Sequence, residues 1–220
     1  MGDPARSAYV VGFSGGSGVA YGLRLVHVLL EAGAAVHLCA TAAALRVLKY
    51  EAGIELQPDQ PDLKTLFPPE MGERLCCHQQ TAVEAAPASG SAGIRGTIIC
   101  PCSMGTLARI AHGFSSNLLE RAADVALKEG RRLILVPRET PLSSVHLRNM
   151  LALSEAGAVI LPAMPGFYHR PQTVEDLVDF VVAKILDRLG VESLLVKPWQ
   201  TPAETGPSSP WDEGEEVAPA

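Results

Sequence analysis

The feature that most constrains this chain is the repeated alternation of short apolar runs with segments of helical periodicity. Residues 9–13, 36–40, 96–100, 133–136 and 158–161 read as strands, and the run at 96–100 has no charged residue, as suits a strand covered on both faces. Between them, 19–32, 42–50, 104–112, 117–129, 143–155 and 174–189 read as helices. In the first of these, Leu23, Val26, Leu29 and Leu30 share one face, and Gly33 provides a stop. Strands alternating with helices of this length predict an α/β chain with a Rossmann-like (flavodoxin-like) three-layer fold, a mostly parallel central sheet and right-handed crossovers. The stretch 53–93 breaks the pattern with Pro58, Pro61, Pro68, Pro69 and Pro87, and only a short helix near Leu63 and one strand near Leu75 are expected there.

A chain of 220 residues, 47% apolar and 19% charged, can bury one substantial core. The expected organisation is a tail at 1–7, one domain over 8–190 and an extension at 191–220, disordered after about 200 because it is acidic, proline-rich and unpatterned. A net charge of -6 and a pI near 5.5 argue against a nucleic-acid surface, which needs a basic face. Cys39, Cys76, Cys77, Cys100 and Cys102 are odd in number and sit mostly in apolar runs, which reads as reduced, buried thiols. There is no secretory pattern and no apolar stretch of about 20 residues, so a cytoplasmic protein without a membrane span is expected.

Ligands in open α/β sheets sit beyond the carboxyl ends of strands. There this chain places charged and aromatic residues between prolines, in Pro137-Arg138-Glu139-Thr140-Pro141 and Pro165-Gly166-Phe167-Tyr168-His169-Arg170-Pro171. Upstream, Gly12-Phe13-Ser14-Gly15-Gly16-Ser17-Gly18 has the layout of a phosphate-binding turn, with Ser14 and Ser17 as possible donors to phosphate oxygens. Its spacing matches neither the dinucleotide fingerprint nor the Walker loop; a mononucleotide such as FMN fits better, and a plain strand-to-helix turn is the alternative. Pro101-Cys102-Ser103-Met104-Gly105-Thr106 repeats the layout, with Ser103 as N-cap or ligand donor. Arg121 and Lys128 lie two turns apart on one helical face. His78, His112, His146 and His169 are scattered, so no metal is expected.

These turns, together with Asn117-Leu118-Leu119-Glu120-Arg121-Ala122-Ala123-Asp124-Val125 and Phe167-Tyr168-His169-Arg170-Pro171-Gln172, resemble the UbiX family of flavin prenyltransferases, formerly described as decarboxylases. The resemblance runs from about Tyr9 to Gly190 and is poorest over 53–83. It implies that reduced FMN, as co-substrate, receives at N5 and C6 a dimethylallyl group from dimethylallyl monophosphate, giving prenyl-FMN for UbiD-type decarboxylases without a metal. It places Gly15, Gly16, Ser17, Thr41, Ser103, Met104, Gly105, Thr106 and Arg138 around FMN. It places Arg121, Lys128, Tyr168 and Lys184 around the prenyl phosphate, some from a neighbouring subunit of a homododecamer, with Glu139, Glu51 and Ser17 as catalytic residues.

Some positions depart from the family pattern. Lys184 stands where arginine is common, keeping the charge but losing the bidentate fork. Ala82, Val83 and Glu84 precede Pro87 where some relatives have an aromatic residue, and Trp199 is the counterpart of a C-terminal Trp that covers the site in some members. Two other readings are an FMN-dependent cysteine decarboxylase, against which Pro87-Ala88-Ser89-Gly90-Ser91 lacks the expected asparagine, and a non-catalytic flavin-binding partner of a decarboxylase.

Overall fold

A computed structural model describes residues 7–196. Strands β1 (Ala8–Phe13), β2 (Ala35–Ala40), β3 (Leu75–His78), β4 (Ile94–Cys102), β5 (Arg132–Pro137) and β6 (Val159–Ile160) form one six-stranded sheet in the order β3-β2-β1-β4-β5-β6. Every neighbouring pair is parallel. The winding reverses between β1 and β4, which opens a crevice at their carboxyl ends.

Side-chain alternation divides the core into two layers. Val11, Phe13, Ile98, Cys100, Ile134 and Val136 face α1 (Val19–Glu31), α2 (Ala42–Ala52) and α6 (Val174–Leu189). Ile99, Cys102, Leu133 and Leu135 face α3 (Met104–Ala111), α4 (Leu118–Lys128) and α5 (Ser144–Glu155). The doubly wound three-layer fold is thus as the sequence predicts.

The helix starts follow local chemistry. Thr41, Ser103, Asn117 and Ser143 cap α2, α3, α4 and α5, and Thr173 with Asp176 forms a capping box on α6. Two elements differ from expectation. β4 extends beyond the charge-free stretch at both ends, because Cys102 still pairs with Pro137. β6 is cut to two residues, although Leu161 still donates its N–H to the Leu135 carbonyl at 2.8 Å. The proline-rich stretch holds the expected short helix and strand, at Leu63–Leu66 and Leu75–His78, plus short helical turns at Pro69–Met71 and Ala86–Ala88. Residues beyond 196, including the Trp199 expectation and the expected tail disorder, lie outside the described residues.

Gly22 sets the height of α1 above the sheet. A Cβ there would stand 2.3 Å from the Cys100 carbonyl oxygen and 2.6 Å from a Phe13 ring carbon. Backbone lies on one side and a fully buried ring on the other, so neither can yield cheaply. Gly22→Ala is expected to lower the unfolding free energy by about 1–3 kcal/mol, read from the urea midpoint. An unchanged midpoint would show that α1 does not sit this close to β4.

Candidate active site

The two loops bordering the crevice are tied together by Ser14. Its N–H and hydroxyl both donate to the Pro101 carbonyl, at 3.1 and 3.0 Å, and its Oγ accepts from the Ser103 N–H at 2.7 Å. Ser14 is buried and its hydroxyl fully engaged. It therefore does not point at a ligand as a phosphate donor, the role that sequence inspection allows it. Small residues bring the loops close: a Cβ on Gly16 would lie 3.2 Å from the Cys102 carbonyl carbon and the Ser103 nitrogen, and one on Gly15 would lie 2.7 Å from the Ala43 Cβ.

The N-terminus of α1 is also occupied. Glu51, near the end of α2, accepts from the N–H groups of Gly18 at 2.9 Å and Val19 at 3.0 Å, and from the Ser17 side chain. The carboxylate stands where a phosphate would sit in a phosphate-binding turn, which corrects that reading of the glycine-rich segment. Partial burial alone would raise the Glu51 pKa. The bonds from Ser17, Val19 and Gly18, aided by the charge of Arg138, outweigh it and hold the carboxyl below its usual range. Arg138, exposed at the end of β5, acts on Tyr21 as well. Burial, with a smaller push from Cys100, nevertheless keeps the Tyr21 phenol above its ordinary value.

The α2 and α3 termini complete this wall. Thr41 Oγ1 accepts from the Ala44 N–H at 3.2 Å, and Ser103 Oγ accepts from the Thr106 N–H at 3.2 Å. Ser103 and Thr106 hydroxyls meet at 3.1 Å, and the Arg109 guanidinium donates to Thr106 at 3.3 Å. Arg109 also pairs with Glu120, which is fully buried and accepts from the Ser116 N–H at 2.8 Å and the Asn117 amide at 3.0 Å. Thr41, Met104 and Thr106 are buried, Ser103 is half-buried and Gly105 is exposed at the rim.

Glu139 lies in a cleft of about 60 Å³ with Arg138, Thr140, Met150, Pro162 and Met164. Its Oε1 accepts from the Thr140 N–H at 3.2 Å. The three cations and the phenol expected around the prenyl phosphate are divided between two places. Tyr168 packs edge-on against Phe180 at 5.5 Å, and Lys184 lies 5.6 Å from the same ring and 3.8 Å from Asp187. Arg121 and Lys128 are on α4, in the opposite helical layer, where they pair with Asp124 at 2.7 Å and with Glu129. Lys128 closes α4 just before β5 begins, at the end of the sheet away from the strand carboxyl ends.

The thiols largely match expectation. All five are free; Cys39, Cys100 and Cys102 are buried, and burial pushes Cys39 and Cys102 up to about 12 and Cys77 up to about 11. Cys76 is exposed instead. Among the described residues, none of the four histidines named from the sequence meets another of them, but His37, outside that set, brings its Nδ1 to 2.9 Å from His78 Nε2, beside Cys76. Sequence spacing misses this group because strand pairing, not chain proximity, brings His37 to the other two.

Comparison with known proteins identifies the family and the fold. Residues 3–186 match the Flavoprotein family. The chain is 52% identical to the flavin prenyltransferase UbiX of Halalkalibacterium halodurans, over 88% of this chain and 94% of that one. It is 48% identical to the flavin prenyltransferase UbiX of Pseudomonas aeruginosa, over 90% and 96%. The crystal structure of AnUbiX (PadA1) in complex with FMN and dimethylallyl pyrophosphate superposes with a TM-score of 0.81 at 37% identity, covering 90% of this chain and all of that one. A dodecameric FMN-dependent UbiX-like decarboxylase from Escherichia coli O157:H7 superposes at 0.79 with 39% identity, covering 88% of this chain and all of that one.

The Glu51 geometry has a pH signature. Its folded pKa is depressed, so the stability it contributes is present above the unfolded value of about 4.3 and is lost as pH falls through the folded value. Glu51→Gln should melt below the parent chain at neutral pH, and the gap should shrink as pH drops below about 4. A gap independent of pH in thermal melts would mean that the carboxylate charge is not what holds the start of α1.

Proposed function

The chain belongs to the UbiX family of flavin prenyltransferases, and from that premise we propose how its residues join the dimethylallyl group of dimethylallyl monophosphate to N5 and C6 of reduced FMN. The product is prenyl-FMN, and its consumer is a UbiD-type decarboxylase. The observation that carries the reading is the β1–β4–β5 crevice, where the glycine wall, the capped starts of α2 and α3, Arg138 and Glu139 converge. Reduced FMN supplies the two nucleophilic ring positions.

The residues present suit a flavin. Gly15 and Gly16 keep the wall low enough for a flat ring system to approach the backbone. Glu51 already neutralises the start of α1, so an anionic phosphate is disfavoured beside Gly15, Gly16 and Ser17 and the ring system belongs there. Thr41, Ser103, Met104, Gly105 and Thr106 line the α2 and α3 termini, whose dipoles favour the phosphate end, and Arg138 closes over the crevice.

Glu139, beside the cleft and bonded by the Thr140 N–H, would accept the C6 proton as the second bond forms, while the prenyl double bond, which breaks in that step, takes up one proton from the released phosphate. Ser17 and Glu51 fix the polar edge that faces N5. As the allylic C–O bond breaks, charge grows on the departing phosphate; Arg121, Lys128 and Lys184, with the Tyr168 phenol, stabilise it. These groups are divided between helical layers within one protomer, so the donor site is shared between subunits of a homo-oligomer, a dodecamer in this reading. Free thiols suit a cytoplasmic setting, and no helix among the described residues is long and apolar enough to cross a membrane.

Anaerobic incubation with reduced FMN and dimethylallyl monophosphate should add the mass of one dimethylallyl group to the flavin. Glu139→Gln should retain FMN while slowing ring closure by about 10²–10⁴-fold. Flavin of unchanged mass would overturn the reading, and full activity in Glu139→Gln would remove Glu139 from proton transfer. Mixing subunits tests the shared site: Lys128→Ala and Glu139→Gln, each weak alone, should recover activity when co-assembled. No recovery in verified mixed oligomers would place both residues in one protomer's site.

A further inference from the structure

We propose that His37, Cys76 and His78 bind one divalent transition ion of the zinc type at the outer edge of the sheet, apart from the flavin crevice. The site is made by strand register. β2 pairs with β3 so that His37 faces Cys76 and Cys39 faces His78. Side chains alternate along each strand, which puts His37, Cys76 and His78 on one face. Among the described residues, β3 is the terminal strand of the sheet and pairs with β2.

The donor atoms are already gathered. His37 Nδ1 and His78 Nε2 are 2.9 Å apart, and the rings stack at 5.2 Å with 20° between their planes. One ligating atom from each of the three residues lies within 4.8 Å of the others. A tetrahedral ion with bonds of about 2.0–2.3 Å holds its ligands roughly 3.3–3.8 Å apart, so modest ring and thiol rotations would close the set. Two imidazoles and a thiolate select zinc-like ions over magnesium or calcium, which prefer oxygen donors.

A neutral imidazole is the form with a lone pair to donate. Without an ion, one ring nitrogen donates its N–H to the other. With an ion, each ring keeps its proton on the far nitrogen and Cys76 gives up its thiol proton, so binding releases one proton. Exposed Cys76 provides the entry route and leaves the fourth position to water. The bound ion would fasten terminal β3 to β2.

The test uses the full-length, untagged, reduced and metal-free chain, titrated with cobalt(II) as a spectroscopic probe and then with zinc. The expected result is one ion per chain, a thiolate-to-cobalt charge-transfer band and release of one proton. Cys76→Ser, at an exposed position where folding is not at stake, should abolish the band and weaken binding by more than about tenfold. Saturating zinc should raise the melting temperature of the parent chain and leave that of Cys76→Ser in place. Absence of stoichiometric binding by the parent chain, or an unchanged band and affinity in Cys76→Ser, would overturn the proposal.

Discussion

The bridge through Ser14 is the contact on which the rest of the site depends. β1 and β4 diverge where the winding reverses, and without a tie their two following loops would be separate surfaces. One buried hydroxyl joins them by donating to Pro101 and accepting from Ser103, and Gly16 makes the approach sterically possible. Unmaking it would leave buried polar groups unsatisfied, at a cost of about 1–3 kcal/mol. It would also release the start of α3, whose cap, Ser103, is the very residue held. Gly22 seats α1 against Cys100 just before this junction, so loop closure and helix packing reinforce each other.

Charge is placed with the same economy. The start of α1 is neutralised internally by Glu51, and Arg138 stands opposite, so the crevice carries a matched pair instead of an open anion site. The cations proposed for the prenyl phosphate are each held by a neighbouring carboxylate, Arg121 by Asp124, Lys128 by Glu129 and Lys184 by Asp187, and they are split within one protomer. Tyr168 and Lys184 gather around Phe180, while Arg121 and Lys128 belong to the other helical layer. In the proposed reaction a leaving phosphate needs several fixed cations at once, and assembly of copies would supply them. Lys184 brings a point charge to that set where a guanidinium would add a planar fork.

The fold was legible because its strands and caps are local signals. β4 and β5 contain apolar runs at 98–102 and 133–136, and Ser103 announces a helix start from its own chemistry. The candidate site was legible through whole motifs, by resemblance, more than through any single spacing. What escaped depends on partners distant in the chain. Ser14 looks like a ligand donor until its partners 87 and 89 positions away are known. Glu51 is named by resemblance alone, and its hold on the start of α1 is hidden until it is seen reaching back 32 positions to Val19. His37 and His78 look unrelated until β2 and β3 are set in register. β6 is short although β5 runs on beside it to Pro137, whose carbonyl still accepts the Ala163 N–H at 2.9 Å.

The terminal strand is not remote from the chemistry, despite its place at the edge. Immediately after β3, Gln80 accepts the Ala42 N–H through its side chain at 3.4 Å and the Leu118 N–H through its carbonyl at 2.8 Å. The first of these contacts touches the start of α2, next to Thr41, and the second touches the start of α4, whose second turn carries Arg121. Gln80 therefore links the start of α2 in one helical layer to the start of α4 in the other. Its position is set by β3, which among the described residues has a partner strand on one side alone. A cross-strand tie through His37, Cys76 and His78 acts at the point where that linkage is least supported by the sheet, so edge and crevice form one mechanical unit.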